Sequence, residues 1–218
     1  MVEINKPIVK RIEPVIIEGR DKITGVLYQG QNATYEIYDK LTKPMTLQEL
    51  SEYSMSEKEK GNPYVPNSQE LWAIFTAIAN SENSQLISRV QQNLRNNWIR
   101  TLSGIDWYSN GYARVIHNIG TPDSYSIQRG LIEENGWISK TNSKKLLENV
   151  LRINNVKEVN SVSQKINNTN MYQWRVNSKP NEKIRTGVDF DAVSVRLGLS
   201  CDGDPLDVNP AFRVLNVD

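Results

Sequence analysis

Apolar and polar positions along the chain follow two rhythms, one of strands and one of helices. Residues 14–18, Pro14-Val15-Ile16-Ile17-Glu18, form a short apolar run that reads as β. Residues 23–28 and 33–39 are β-rich and flank Gln29-Gly30-Gln31-Asn32, with Tyr35 and Ile37 alternating against Glu36 and Tyr38. Two strand-like runs joined by a Gly/Asn segment predict a β-hairpin.

The rhythm then lengthens. Thr46-Leu47-Gln48-Glu49 has the capping-box pattern, and Gly61 is a suitable C-terminal stop. Asn67-Ser68-Gln69-Glu70 repeats the signal before Leu71, Ile74, Phe75 and Ile78, whose spacing predicts a helix through about residue 79. A longer helix is expected over 84–103, with Ile87, Val90, Leu94, Trp98 and Leu102 in one stripe and Gly104 as its stop. Residues 112–117 and 125–132 return to strand around the turn Gly120-Thr121-Pro122-Asp123. Leu146, Leu147, Val150 and Leu151 predict a helix over 143–153, and the polar, Asn/Ser-rich 156–170 reads as loop or weak strand. Residues 172–176, 188–191, 193–197 and 212–217 complete a β-rich C-terminal part.

Strands and helices are grouped rather than regularly alternating. That favours an α+β fold: an N-terminal β-hairpin, a central helical segment, and a C-terminal antiparallel sheet with one packed helix. The 218 residues suit one domain, with division near residue 110 into 1–109 and 110–218 as the alternative.

Composition narrows this picture. Apolar residues reach 38%, and five tryptophans are spread along the chain, so a core can form and general disorder is excluded. Cys201 is the single cysteine and His117 the single histidine. A disulfide framework and His/Cys zinc motifs are thereby excluded, and any Ser-His or Cys-His mechanism would need His117. Cys201 reads as a small core residue. The N-terminus has no signal-peptide pattern and no apolar run suits a membrane helix, so a soluble, cytoplasmic protein without membrane association is expected. Neither Gly-rich phosphate-binding motif occurs, and no cofactor is expected.

Three features could carry chemistry. Asp189 and Asp191, two apart in a strand, share a face and are the candidate catalytic pair. The favoured alternative is a solvated outer face, with Val188, Phe190 and Ala192 turned inward. Asp202, Asp204 and Asp207 lie in a turn-prone segment with Gly203 and Pro205 and are the candidate metal ligands, although the spacing is not that of an EF-hand. Net charge is only +1, yet residues 140–185 hold ten Lys/Arg against three Glu. There Lys144, Lys145, Arg152, Tyr172, Trp174 and Arg175 are the nucleic-acid-binding candidates: cations for phosphates, aromatics for bases. Residues 186–218 are acidic, two Arg against six Asp. The function expected is that of a non-enzymatic binding or assembly protein with another protein as partner. Nucleic-acid association, and a carboxylate-based hydrolase with or without a metal, are the alternatives; whether the chain is an enzyme is left open.

Overall fold

A computed structural model describes residues 19–121, 125–193 and 195–218. The apolar run at 14–18, Pro122 and Asp123 of the expected turn, and Ser194 lie outside the described residues. The elements in chain order are β1 (Arg20–Tyr28), β2 (Gln31–Tyr38), α1 (Leu47–Glu59), α2 (Ser68–Ser81), α3 (Ser84–Asn96), β3 (Ile99–Trp107), β4 (Tyr112–Ile116), β5 (Tyr125–Arg129), β6 (Gly136–Trp137), α4 (Lys144–Leu151), α5 (Val156–Asn167), β7 (Met171–Trp174), β8 (Ile184–Asp191), β9 (Leu197–Gly203) and β10 (Val214–Asn216). The architecture is α+β. One sheet has the order β1-β2-β10 and the other β5-β4-β3-β8-β9-β7-β6.

The hairpin forms at the Gly/Asn signal, but its turn is tighter than the four-residue connection expected, since Gln31 and Asn32 already pair in β2. Gln29 and Gly30 both have positive φ, 52° and 81°, the geometry of a two-residue turn that matches strand twist. A bulge opposite Thr34 lets Ile23 pair with Tyr35 and Val26 with Ala33. Ile23 and Val26 are three apart and would face opposite ways in a regular strand; the extra residue turns both into the core. Gly25, at φ 71°, supplies the left-handed conformation the bulge needs.

The small sheet packs on one side of α2 and the large sheet on the other. Leu71, Trp72, Ile74, Phe75 and Ile78 are all buried, so α2 is apolar nearly all round, as a central helix must be. Its Trp72 stacks on Phe190 of β8 at 6.1 Å, and Phe75 meets both Phe190 and Phe212 edge-on. The capping box of α1 is complete, worth about 1 kcal/mol. At α2 only half of it forms. Asn67 accepts from the Glu70 amide, but the Glu70 carboxylate turns inward to Tyr35 and Tyr64.

In the large sheet every ladder is antiparallel except β7–β9, which is parallel. All nine residues of β3 are buried. Helices α2 to α5 lie towards one face. The other, outer face is crossed by α1, where Leu47 meets Ile116 and Ile119, and by the segment 204–211. Gly104 sits at that crossing: a Cβ there would meet Ile119 Cδ1 at 2.6 Å.

Three expectations need correction. The helix expected to reach residue 103 ends at Asn96, and Gly104 is mid-strand rather than a stop. Leu86, Val90 and Leu94 carry the real stripe, while Ile99 and Leu102 belong to β3. Residues 156–170, read as loop or weak strand, contain α5. Val156, Val159, Val162 and Ile166 keep helical spacing, and Asn155 and Asn168 are its caps, so the Asn content punctuates a helix rather than replacing one. Of the strand expected over 193–197, only Leu197 among the described residues is in one, as the start of β9; Val193 and Val195 are exposed in the β8–β9 connection.

Candidate functional site on the outer sheet face

Strand β8 decides the site. Its odd positions, Asp189 and Asp191, point to the outer face while Val188 and Phe190 point to the core. Both aspartates are nonetheless buried, so the solvated face expected for them is not what forms. Asp204, Asp207 and Asn209 lie around Asp189, while Trp98, Trp174, Val193 and Arg196 surround Asp191. β8 is central in the sheet, and a central strand loses water on both faces.

Asp189 is consumed by an ion pair. Arg100 on β3, its register partner, donates through Nε at 2.6 Å and Nη2 at 3.0 Å, and through Nη1 to the Asp204 carbonyl at 3.0 Å. Gly187 and Gly203 leave the room: a Cβ on Gly187 would sit 3.0 Å from the guanidinium carbon, and one on Gly203 would sit 2.6 Å from Asp189 Oδ2. Burial pushes the Asp189 carboxyl up to about 6, and Arg100 opposes that rise.

Asp191 has no such partner. It is 1% exposed and lies over Gly198, where a Cβ would collide with Oδ2. That Oδ2 is buried and accepts no hydrogen bond. Burial pushes the carboxyl up to about 6; the Val193 backbone amide and the charge of Arg196 pull the other way. Above it opens a cleft of about 340 Å³ lined by Trp98, Trp174, Asp191, Val193, Arg196 and Asp202. A second hollow of about 290 Å³ shares Trp98 and Asp202 and runs over Asp189 and Ser200. Trp98, just before β3, is 41% exposed. Trp174 and Tyr172 are two apart on β7, 4.8 Å between ring centroids, and Trp137 of β6 meets Tyr172 edge-on at 5.4 Å. The Arg196 guanidinium lies 4.0 Å over Tyr172 and 5.0 Å over Trp174. Asp202 is exposed, and the Ser200 hydroxyl donates to its Oδ1 at 2.9 Å.

The metal candidates Asp202, Asp204 and Asp207 all line the second hollow, with Asp189, but they do not gather into a metal-holding cluster. Asp202 belongs to β9, while Asp204 turns its Oδ1 to the Leu206 amide in a local turn. Among the described residues no group of three or more His, Cys, Asp or Glu is placed to hold a metal ion. The nucleic-acid candidates divide between surfaces. Arg175 is buried and held by Glu133 at 2.7 Å, with Nη1 on the Leu131 carbonyl. Lys144 and Lys145 of α4 and Arg152, its C-cap, are exposed in the helical layer, whereas Tyr172 and Trp174 are on the opposite, outer side of the sheet. Family models, curated proteins and solved structures yield no match to this chain.

Trp72 Nε1, Gln173 Oε1 and Arg175 Nε are also buried without a partner, whereas other buried polar groups are tied down. His117 is buried, with Gln69 Nε2 at 2.9 Å and Ser103 Oγ at 3.5 Å; burial pushes its imidazole down to about 4, so it is neutral at pH 7. Ser103 is itself fully buried, out of reach of a substrate. Glu70 Oε1 accepts from Tyr35 at 2.9 Å and Tyr64 at 2.7 Å, joining the small sheet to α2. Cys201 is fully buried, and burial pushes its thiol up. No helix among the described residues is long and apolar enough to cross a membrane. Two residues of the cleft escape sequence reasoning. Trp98 fits a helical stripe, although the β-branched Ile99 and Thr101 after it signal a strand. Arg196 carries no local signal at all.

Proposed function

We propose that the protein is a binding protein and that its ligand is a neutral, polyhydroxylated molecule, a carbohydrate, seated between Trp98 and Trp174. The observation that carries this reading is an indole-walled cleft whose lining includes Asp191, a carboxyl with a partnerless buried Oδ2 just beneath. A buried acceptor without a donor costs about 1–3 kcal/mol. A ligand hydroxyl would remove that penalty once the carboxyl turns from Gly198 toward the cleft, and the apolar face of a sugar ring suits the indole walls. A cationic ligand fits less well, because Arg196 already places positive charge over Tyr172 and Trp174.

The test is a titration with a panel of soluble oligosaccharides, read by tryptophan fluorescence and by the indole N–H resonances. The expected result is a perturbation of Trp98 and Trp174, with Trp98→Ala and Asp191→Ala each weakening binding about tenfold or more, the size of one charged hydrogen bond or one aromatic contact. A panel that moves neither indole overturns the proposal.

One observation favours a hydrolytic version of the same site. A carboxyl raised to about 6 shares its cleft with a second carboxylate, Asp202, and an acid working with a partner base or nucleophile needs two such groups. In that case Asp191→Asn abolishes turnover of aryl glycosides while oligosaccharide binding survives. Binding without turnover in the wild type removes the hydrolytic version and leaves the binding one.

A further inference from the structure

The other end of the same outer face has the opposite chemistry. Across β5, β4, β3 and β8 one register row reads Ile127, Arg114, Asp106, Arg185. Asp106 has no exposed side-chain surface and is surrounded by cations. Arg185 donates through Nε at 2.6 Å and Nη2 at 3.0 Å, Arg114 Nη2 lies at 3.1 Å and Lys183 Nζ at 3.0 Å. One carboxylate cannot neutralise three cations, and all three keep a third to a half of their side-chain surface in water. Arg114 Nε has no hydrogen-bond partner. Arg129 of β5 is exposed, and Lys179 lies against Gly111 in the β3–β4 turn, so both extend the cationic surface.

Tyrosines are set among these cations. Arg129 lies 4.2 Å over Tyr112, Arg114 5.5 Å over Tyr125, and Lys183 5.6 Å over Tyr108. Tyr125 is 61% exposed, and Ile127 beside it is also exposed. These aromatics do not build the core, and they lie on an antiparallel surface where strands are spaced about 4.8 Å apart.

We infer that the outer face of β5, β4, β3 and β8 is a docking surface for single-stranded nucleic acid, with Arg114, Arg129, Lys183 and Arg185 on phosphates and Tyr125, with Tyr108 and Tyr112, against bases. Charge complementarity supplies the attraction, and it is local: the whole chain carries only +1. The tyrosines select the partner. A duplex hides the faces of its bases and an anionic membrane has none, whereas an unpaired strand offers a stacking surface at every nucleotide. This surface is not the one expected from residues 140–185: it uses Lys179, Lys183 and Arg185 from that stretch and takes its remaining groups from β4 and β5.

The experiment is fluorescence anisotropy with labelled 12-nucleotide oligo-dT and oligo-U across a salt series, with a 12-bp duplex and anionic phosphatidylserine vesicles as comparison arms. The expected result is single-strand binding whose log–log salt slope is about −2 or steeper, since each phosphate contact to a single strand contributes about −0.7. Tyr125→Ala should weaken it about tenfold, the size of one lost stack. Arg129→Gln should weaken it and flatten the slope; neither residue is in the core, so folding is preserved. Absent binding at 20 mM salt, equal affinity for the duplex or the vesicles, or an unchanged affinity in Tyr125→Ala each overturns the inference.

Discussion

Asp106 and Asp191 lie on the same face of the same sheet, are equally hidden from water, and behave in opposite ways. Asp106 is drawn below the usual carboxylate range: burial works to raise it, and Arg185 with Lys183 prevail. Asp191 is raised, because burial meets only the Val193 amide and the charge of Arg196. Asp189 stands between them, raised by burial yet gripped bidentately by Arg100. Burial alone therefore does not set the state of a carboxyl; the donors that the fold delivers to it do. One end of the face has cations in excess and attracts an anion. The other holds an acceptor in want of a donor.

Three measurements sharpen or break that contrast. The largest effect is expected at Asp189. Asp189→Ala leaves Arg100 buried without its counter-charge and should remove about 3–5 kcal/mol from the unfolding free energy, measured in denaturant. A loss under about 1 kcal/mol would show that water reaches the guanidinium. Asp106→Ala releases three cations that are partly wet, so about 2 kcal/mol is expected, and added salt should recover part of it by screening their repulsion. A loss that salt leaves unchanged would break the electrostatic account.

The smallest effect, and the most diagnostic, is at Asp191. Its folded pKa lies above the unfolded value, so the native state binds more protons between about pH 4 and 6. The stability it contributes is fully present below the unfolded pKa and is lost as pH rises through about 6. The Asp191→Asn side chain does not titrate. Wild type should thus gain stability relative to the variant as pH falls from 7 to 4, by about 1–2 kcal/mol. At pH 7 the variant should be equal to wild type or more stable, since no charge is buried. Asp106 has the reverse dependence: its contribution is present above its unfolded pKa and is lost as pH falls through its lower folded value. If the stability difference between wild type and Asp191→Asn stays flat from pH 4 to 7, Asp191 is not held at a raised pKa.

Much of the fold was legible from local patterning. The hairpin around Gln29-Gly30, the capping box at Thr46 and the apolar stripes of α2 and α4 each express a rule that operates within a few residues. Local reading failed where two local signals competed. At residues 98–104 a helical stripe overlapped a β-branched run, and the sheet prevailed because β3 pairs on both sides. At 156–167 a polar composition concealed valines at helical spacing.

What the sequence by itself determined is the α+β class, the hairpin, much of the core, and a few of the groups at the cleft: Asp189, Asp191, Asp202, Tyr172 and Trp174. What only the tertiary structure decided is their company. Arg100 meets Asp189 across 89 positions, and Arg185 meets Asp106 across 79. Trp98, just before β3, and Trp174 of β7 reach one cleft from distant parts of the chain. A residue's neighbours along the chain set its backbone; whether a carboxylate is wet, paired or partnerless depends on strands that are distant in sequence and a few ångströms away in space.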